Sequence, residues 1–154
     1  WRKQSVPYIF DGYVGVETNL TIEPGVVLKF NSYGRIVFGY GASCTINAIG
    51  TSAEPIVFTS SNLTPAAGSW NGIEVRSNTN SNSRFEYCHF NYAGKGGNYY
   101  SSALYVDNHN GLVVKNCAFN NSAGWGMFLY CSSLSAESLS NTFTNCALGN
   151  IYSE

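Results

Sequence analysis

GLVVKNCAFNNSAGWGMFLY, residues Gly111–Tyr130, is the stretch that decides the fold. It holds a short apolar strand (Leu112, Val113, Val114), an NCAFNN corner, a Gly-bearing turn and a second short strand at Met127–Leu129. The layout recurs upstream, where FEYCHFNYAG (Phe85–Gly94) matches VKNCAFNNSAG (Val114–Gly124). It recurs more loosely downstream as LSNTFTNCALG (Leu139–Gly149). A unit copied on both sides of itself reads as one turn of a coil.

Aligning the copies gives a column of phenylalanines: Phe30, Phe58, Phe90, Phe119 and Phe143, separated by 28, 32, 29 and 24 residues. Each is followed by Asn or Thr: Asn31, Thr59, Asn91, Asn120 and Thr144. After a loop of variable length a small residue opens a second strand, in GRIVF, GIEV, ALYV, GMFL and GNIY. A third family, LTI, TIN, RFEY, LVVK and SLS, precedes the Phe corners. Three short strands per repeat, stacked on themselves, predict an all-β chain: a single-stranded parallel β-helix, a solenoid of about five coils. Helix is disfavoured, because no window keeps the i, i+3, i+4, i+7 apolar pattern for three turns. An antiparallel sandwich would show strand–turn–strand pairs every 8–12 residues, roughly, and no Phe column at one coil length.

The length of 154 residues suits a single domain over 1–154. Residues 1–16 (WRKQSVPYIFDGYVGV) fall outside the repeat and are assigned to an N-terminal cap, with the coils over 17–154. At the other end Phe143–Glu154 follows the repeat with no closing segment. The expectation there is an uncapped coil, with further chain or a packing partner beyond Glu154.

Charged residues make up 11%, against roughly a quarter in an average soluble domain. Asn, Ser, Thr, Gly and Tyr carry the polarity instead, as in many secreted β-rich proteins. The net charge of −1 offers no electrostatic footprint for nucleic acid. No apolar run approaches the ~20 residues of a membrane span. The five cysteines, Cys44, Cys88, Cys117, Cys131 and Cys146, contain no C-x-x-C pair. Cys88 and Cys117 occupy equivalent repeat positions, which predicts stacked, inert core thiols rather than a disulfide framework.

LTIEPGVVLKF, GTSAEPIVFTSS, SWNGIEV and NCAFNNSAGWGM together resemble the right-handed parallel β-helix proteins of the pectate-lyase-like superfamily. The likeness is closest to repeat regions of secreted and cell-surface bacterial proteins and covers about Asn19 to the C-terminus. It implies the fold and export to the extracellular space or cell surface. It also implies that Trp70, in W-x-G-I, is a lid over the core.

Two adjacent insertions follow the Phe corners: Thr59–Asn71 (TSSNLTPAAGSWN) and Asn91–Ser102 (NYAGKGGNYYSS). Such insertions collect on one face of a solenoid, often the binding face. They offer Trp70, Tyr92, Tyr99 and Tyr100 with Asn98 and Lys95, and rings beside amides suit sugars. The alternatives are the core lid for Trp70 and an ordinary tyrosine-rich surface for Tyr99 and Tyr100.

Polysaccharide lyases of the superfamily use acidic calcium ligands with a basic residue, and its hydrolases use paired Asp. Here the acids are scattered, and Glu74, Arg76, Glu86 and Asp107 form the best enzyme-like cluster. The competing reading is an exposed cross-strand charge ladder. His89 and His109 lack Cys or acidic partners at ligand spacing, so no metal and no cofactor is implied. The expected function is a non-catalytic exported module, structural or adhesive, with glycan or host-surface ligands on the insertion face. Alternatives are a carbohydrate-active enzyme and, more weakly, an ice-binding solenoid, which would want a regular Thr array.

Overall fold

The computed structural model describes residues 1–96 and 101–154. Seventeen strands are found among them, and no helix. Coil one is β1 (Tyr8–Phe10), β2 (Tyr13–Val16) and β3 (Leu20–Ile22); coil two is β4 (Val27–Phe30), β5 (Arg35–Phe38) and β6 (Ile46–Ile49). Coil three is β7 (Ile56–Ser60), β8 (Gly72–Val75) and β9 (Arg84–Glu86); coil four is β10 (Cys88–Asn91), β11 (Ser102–Asp107) and β12 (Asn110–Lys115). Coil five is β13 (Ala118–Asn120), β14 (Trp125–Tyr130) and β15 (Ser133–Leu134); coil six has β16 (Thr142–Thr144) and β17 (Gly149–Ser153). Every third strand joins the same sheet, in three parallel sheets. The chain is a parallel β-helix.

The repeat begins earlier than its motif does. Tyr8–Phe10 pairs with Leu28–Phe30, and Tyr13–Val16 with Arg35–Phe38. Residues 8–16 are thus the first coil rather than a cap outside the repeat. The count rises from five coils to six.

Each strand alternates, so one set of residues fills the core and the other faces out. Phe58, Phe90 and Phe119 are all fully buried. Phe58–Phe90, Phe90–Phe119 and Phe119–Phe143 stack at 5.1, 4.7 and 5.1 Å between ring centroids. Phe30 is not in this column. Leu28 lies opposite Phe58 and Phe30 opposite Ser60, two residues off the alignment by motif. Phe30 belongs to a second stack, between Phe10 at 5.2 Å and Trp70 at 4.4 Å, and Trp1 packs on Phe10 at the N-terminal side.

The corners have their own column. Tyr92, Asn121 and Asn145 follow the first sheet with φ of 63°, 56° and 55°; Tyr87, Asn116 and Ser140 precede it with φ of 49°, 52° and 58°. Asn tolerates this left-handed region better than most residues. The turned backbone then bonds the next coil, as in Asn121 N–H to Thr144 O at 2.8 Å. Side-chain amides ladder beside it: Asn120 donates to Asn91 at 2.9 Å and Asn145 to Asn121 at 3.1 Å.

All five cysteines are free, and Cys44, Cys88 and Cys117 are buried. Burial, with the Cys117 thiol beside it, pushes the Cys88 thiol well above its ordinary range, which keeps it unreactive. Coil six covers coil five, and in coil six Leu148 and Ile151 are 49% and 47% exposed.

Phe90→Ala is expected to cost about 3–5 kcal/mol, the range for an aromatic core truncation. Phe143→Ala, at the half-covered end of the same stack, should cost about half of that or less. Urea unfolding of both variants checks the ranking, and an equal or larger loss at Phe143 would contradict the stacked core.

Candidate functional site

The outer face of the second sheet carries the densest polar cluster among the described residues. In β8, Ile73 and Val75 point inward and are buried, so Glu74 points outward. In β11, Leu104 and Val106 point inward, leaving Tyr105 and Asp107 outward. The register pairs Glu74 with Tyr105 and Val75 with Val106, which brings Arg76 beside Asp107. One coil below, Val37 lies opposite Glu74, with Arg35 two residues before it.

These residues form a continuous chain of ion pairs. Arg35 Nη1 meets Glu74 Oε1 at 2.9 Å, Arg76 Nη2 meets Glu74 Oε2 at 2.7 Å, and Arg76 Nη1 pairs with Asp107. Arg76 also lies over the Tyr105 ring at 5.4 Å, and Arg35 over Tyr13 at 5.2 Å. Side-chain exposure is 17% for Glu74 and 15% for Asp107, so the expected exposed ladder is half sunk into the surface. Burial pulls the Arg76 pKa down, but Glu74 and Asp107 outweigh it and hold the guanidinium above its ordinary range. The Tyr105 hydroxyl is pushed up to about 12, mainly by burial, with the Asp107 charge adding to it.

Two hollows share Arg35, Glu74 and Arg76. One, of about 390 Å³, extends over Asn71, Lys95 and Ser102. The other, of about 450 Å³, extends toward Tyr13, Val37 and Tyr40. The insertions wall the first. They hold each other through the backbone: Gly94 N–H donates to Asn71 O at 3.2 Å, Lys95 N–H to Trp70 O at 3.0 Å and Ser69 N–H to Tyr92 O at 2.9 Å. Gly72 lets the chain close in below them. Its φ is 125°, and a Cβ there would meet Ser102 O at 2.5 Å.

Several sequence-level site residues move. Trp70 is fully buried, stacks on Phe30 and donates its indole N–H to Asn91 O at 2.8 Å. It is the core lid and not a ligand platform. Glu86 leaves the cluster, because β9 lies in the third sheet, where it pairs with Arg84 at 2.7 Å. Tyr92 is a half-buried corner residue. Asn98, Tyr99 and Tyr100 lie outside the described residues. Arg35, Tyr13, Tyr40 and Tyr105 were missed, since only the cross-coil register brings them beside Glu74.

Calcium in the manner of the superfamily's lyases does not fit here. It takes six to eight oxygens, roughly, at one point, whereas the Glu74 oxygens face Arg35 and Arg76 and the Asp107 oxygens accept from Arg76 and Asn108. No group of three His, Cys, Asp or Glu able to hold a metal occurs among the described residues. His109 is buried, and burial lowers its pKa.

A family model described as a pectate-lyase like beta helix domain matches residues 3–113, more than half of the chain. The protein therefore belongs to that family of β-helix domains. No curated protein and no solved structure matches the chain.

Arg76→Ala would strip both half-buried carboxylates of their shared partner. The expected cost is about 2 kcal/mol, below the ~3–5 kcal/mol of a fully buried pair. Lys3→Ala, which removes the exposed pair with Glu54, should cost no more than about 1 kcal/mol. Chemical unfolding of the two variants checks this, and equal costs would contradict a half-buried network.

Tyr105 makes a pH prediction. Its folded pKa is raised, so the fold favours the neutral phenol. That contribution is whole below the ordinary tyrosine value of about 10 and is lost as pH climbs toward about 12. Tyr105→Phe, which cannot ionise, should show a smaller fall in stability across that window, measured by unfolding midpoints.

Proposed function

We propose that this β-helix is an exported, non-catalytic carbohydrate-binding module, with a glycan held in the groove over the second sheet. The observation that carries the reading is the ion-pair chain Arg35–Glu74–Arg76–Asp107. Its charged groups are fixed by one another, so they present directional donors and acceptors at set positions instead of a free acid and base. Sugars bind to such surfaces through hydroxyls that both donate and accept, while their C–H faces pack on rings. Tyr105 supplies a ring at the groove, and Asn71 and Lys95 supply further polar contacts on the insertion side. A surface wetted by amides and hydroxyls, with 11% charged residues, accords with life outside the cell.

A glycan array probed with the wild-type chain, followed by calorimetric titration of the hits, tests this. Arg35→Ala should weaken binding at least about tenfold, the value of a hydrogen bond to a charged group. Incubation with pectins, alginate and glycosaminoglycans should release no unsaturated or reducing ends. Turnover that disappears in Asp107→Asn would replace the binding module with a carbohydrate-active enzyme.

A further inference from the structure

The groove does not stop at the insertion loops. Its second hollow runs back over coils one and two, where it is lined by Tyr13 at 52% exposure and Tyr40 at 68%. We propose that this is a second subsite, walled by the two tyrosines, that takes an uncharged sugar ring. The ligand is then an oligosaccharide lying along the helix axis, with a neutral ring at this end. This rests on the groove being a glycan site.

Three observations carry it. The first is continuity: both hollows are bounded by Arg35, Glu74 and Arg76, so a chain leaving one enters the other. From coil one to coil four is three inter-strand steps of ~4.8 Å, about 14 Å, more than a single sugar ring spans. The second is the wall chemistry. Tyr13 and Tyr40 are the exposed rings here, and the C–H face of a pyranose packs on such rings. The Arg35 guanidinium lies over one face of Tyr13 and holds it in place, leaving Tyr40 as the freer platform.

The third is charge. At this hollow Arg35 and Arg76 are balanced by Glu74 and Asp107, and each guanidinium already contacts a carboxylate, whereas Lys95 lines only the first hollow. An anionic sugar would have to compete with those carboxylates and would meet them as like charges. A hydroxyl can hydrogen-bond to the outer lone pairs and N–H groups without displacing any pair.

Calorimetric titration with length series of neutral gluco-, xylo- and manno-oligosaccharides, and of uronate oligomers, tests the proposal. Wild-type affinity should rise with chain length in a neutral series. Tyr13→Ala and Tyr40→Ala should each weaken the longest oligomer about three- to tenfold and flatten the length dependence. Tyr40→Phe, which keeps the ring, should retain binding. Tyr40 is the more exposed of the two, so its variants decide the matter even if Tyr13→Ala loosens the first coil. Unchanged binding in Tyr40→Ala overturns the subsite and leaves the groove standing. Tighter binding of uronate oligomers overturns the neutral class alone. If no saccharide binds the wild-type chain, the glycan reading falls and the subsite with it.

Discussion

Everything in this molecule depends on one spacing. Parallel strands in neighbouring coils sit about 4.8 Å apart, so each side chain's nearest neighbour is its counterpart one coil away. Aromatic rings also stack near that distance, and here consecutive rings lie 4.4–5.2 Å apart with planes within 17°. Backbone hydrogen bonding and ring packing therefore ask for the same rise, and neither strains the other. The asparagine corners obey the same rule, since an amide can bond its copy at one coil's distance. Where the register slips by two residues, between Phe30 and Phe58, the stack is not abandoned. The long loop of coil three brings Trp70 back over Phe30 and restores a partner.

On the outside the same spacing becomes a hazard. Like charges repeated at one position would face each other at under 5 Å or so, which destabilises a sheet. The second sheet avoids this by alternating sign along its charged residues, Arg35, Glu74, Arg76 and Asp107. Alternation is thus a condition of stability before it is a feature of a site. It leaves a half-buried polar floor with compensated charge, flanked by rings. A surface built that way to be stable is also one on which hydroxyl groups find both donors and acceptors.

The legible parts were those the repeat copies in full. NCAFNN and its relatives show both the inward Phe and the corner Asn, so Phe58, Phe90, Phe119, Phe143, Cys88 and Cys117 could be placed without a structure. Coil one was not legible, because YIFDGYVGV carries Phe10 without an Asn corner, and its aromatic excess reads as a cap. The site was legible in half. Glu74, Arg76 and Asp107 share outward positions in copied strands, but Glu86 sits in another strand family, and acidity alone does not say which sheet a residue faces. Arg35 and Tyr13 become neighbours of that cluster only through pairing across coils, and variable loops hide that register from a linear reading.

Trp70 joins these levels. As a large aromatic in a long loop beside amides it has the composition of a ligand contact, and its surroundings in sequence do not separate the two roles. Burial does. With the indole stacked in the core and its N–H bonded to Asn91 O, the loop that carries it is anchored at one point. The adjacent insertion then bonds to that loop through Trp70 O and Asn71 O, so the anchor of one insertion positions the other. A solenoid tolerates long insertions because they cost the core nothing, but an unanchored insertion has no fixed shape. One tryptophan returned to the stack lets these loops form a wall. The residue that looks most like a binding platform thus serves the groove from the inside, by holding in place what borders it.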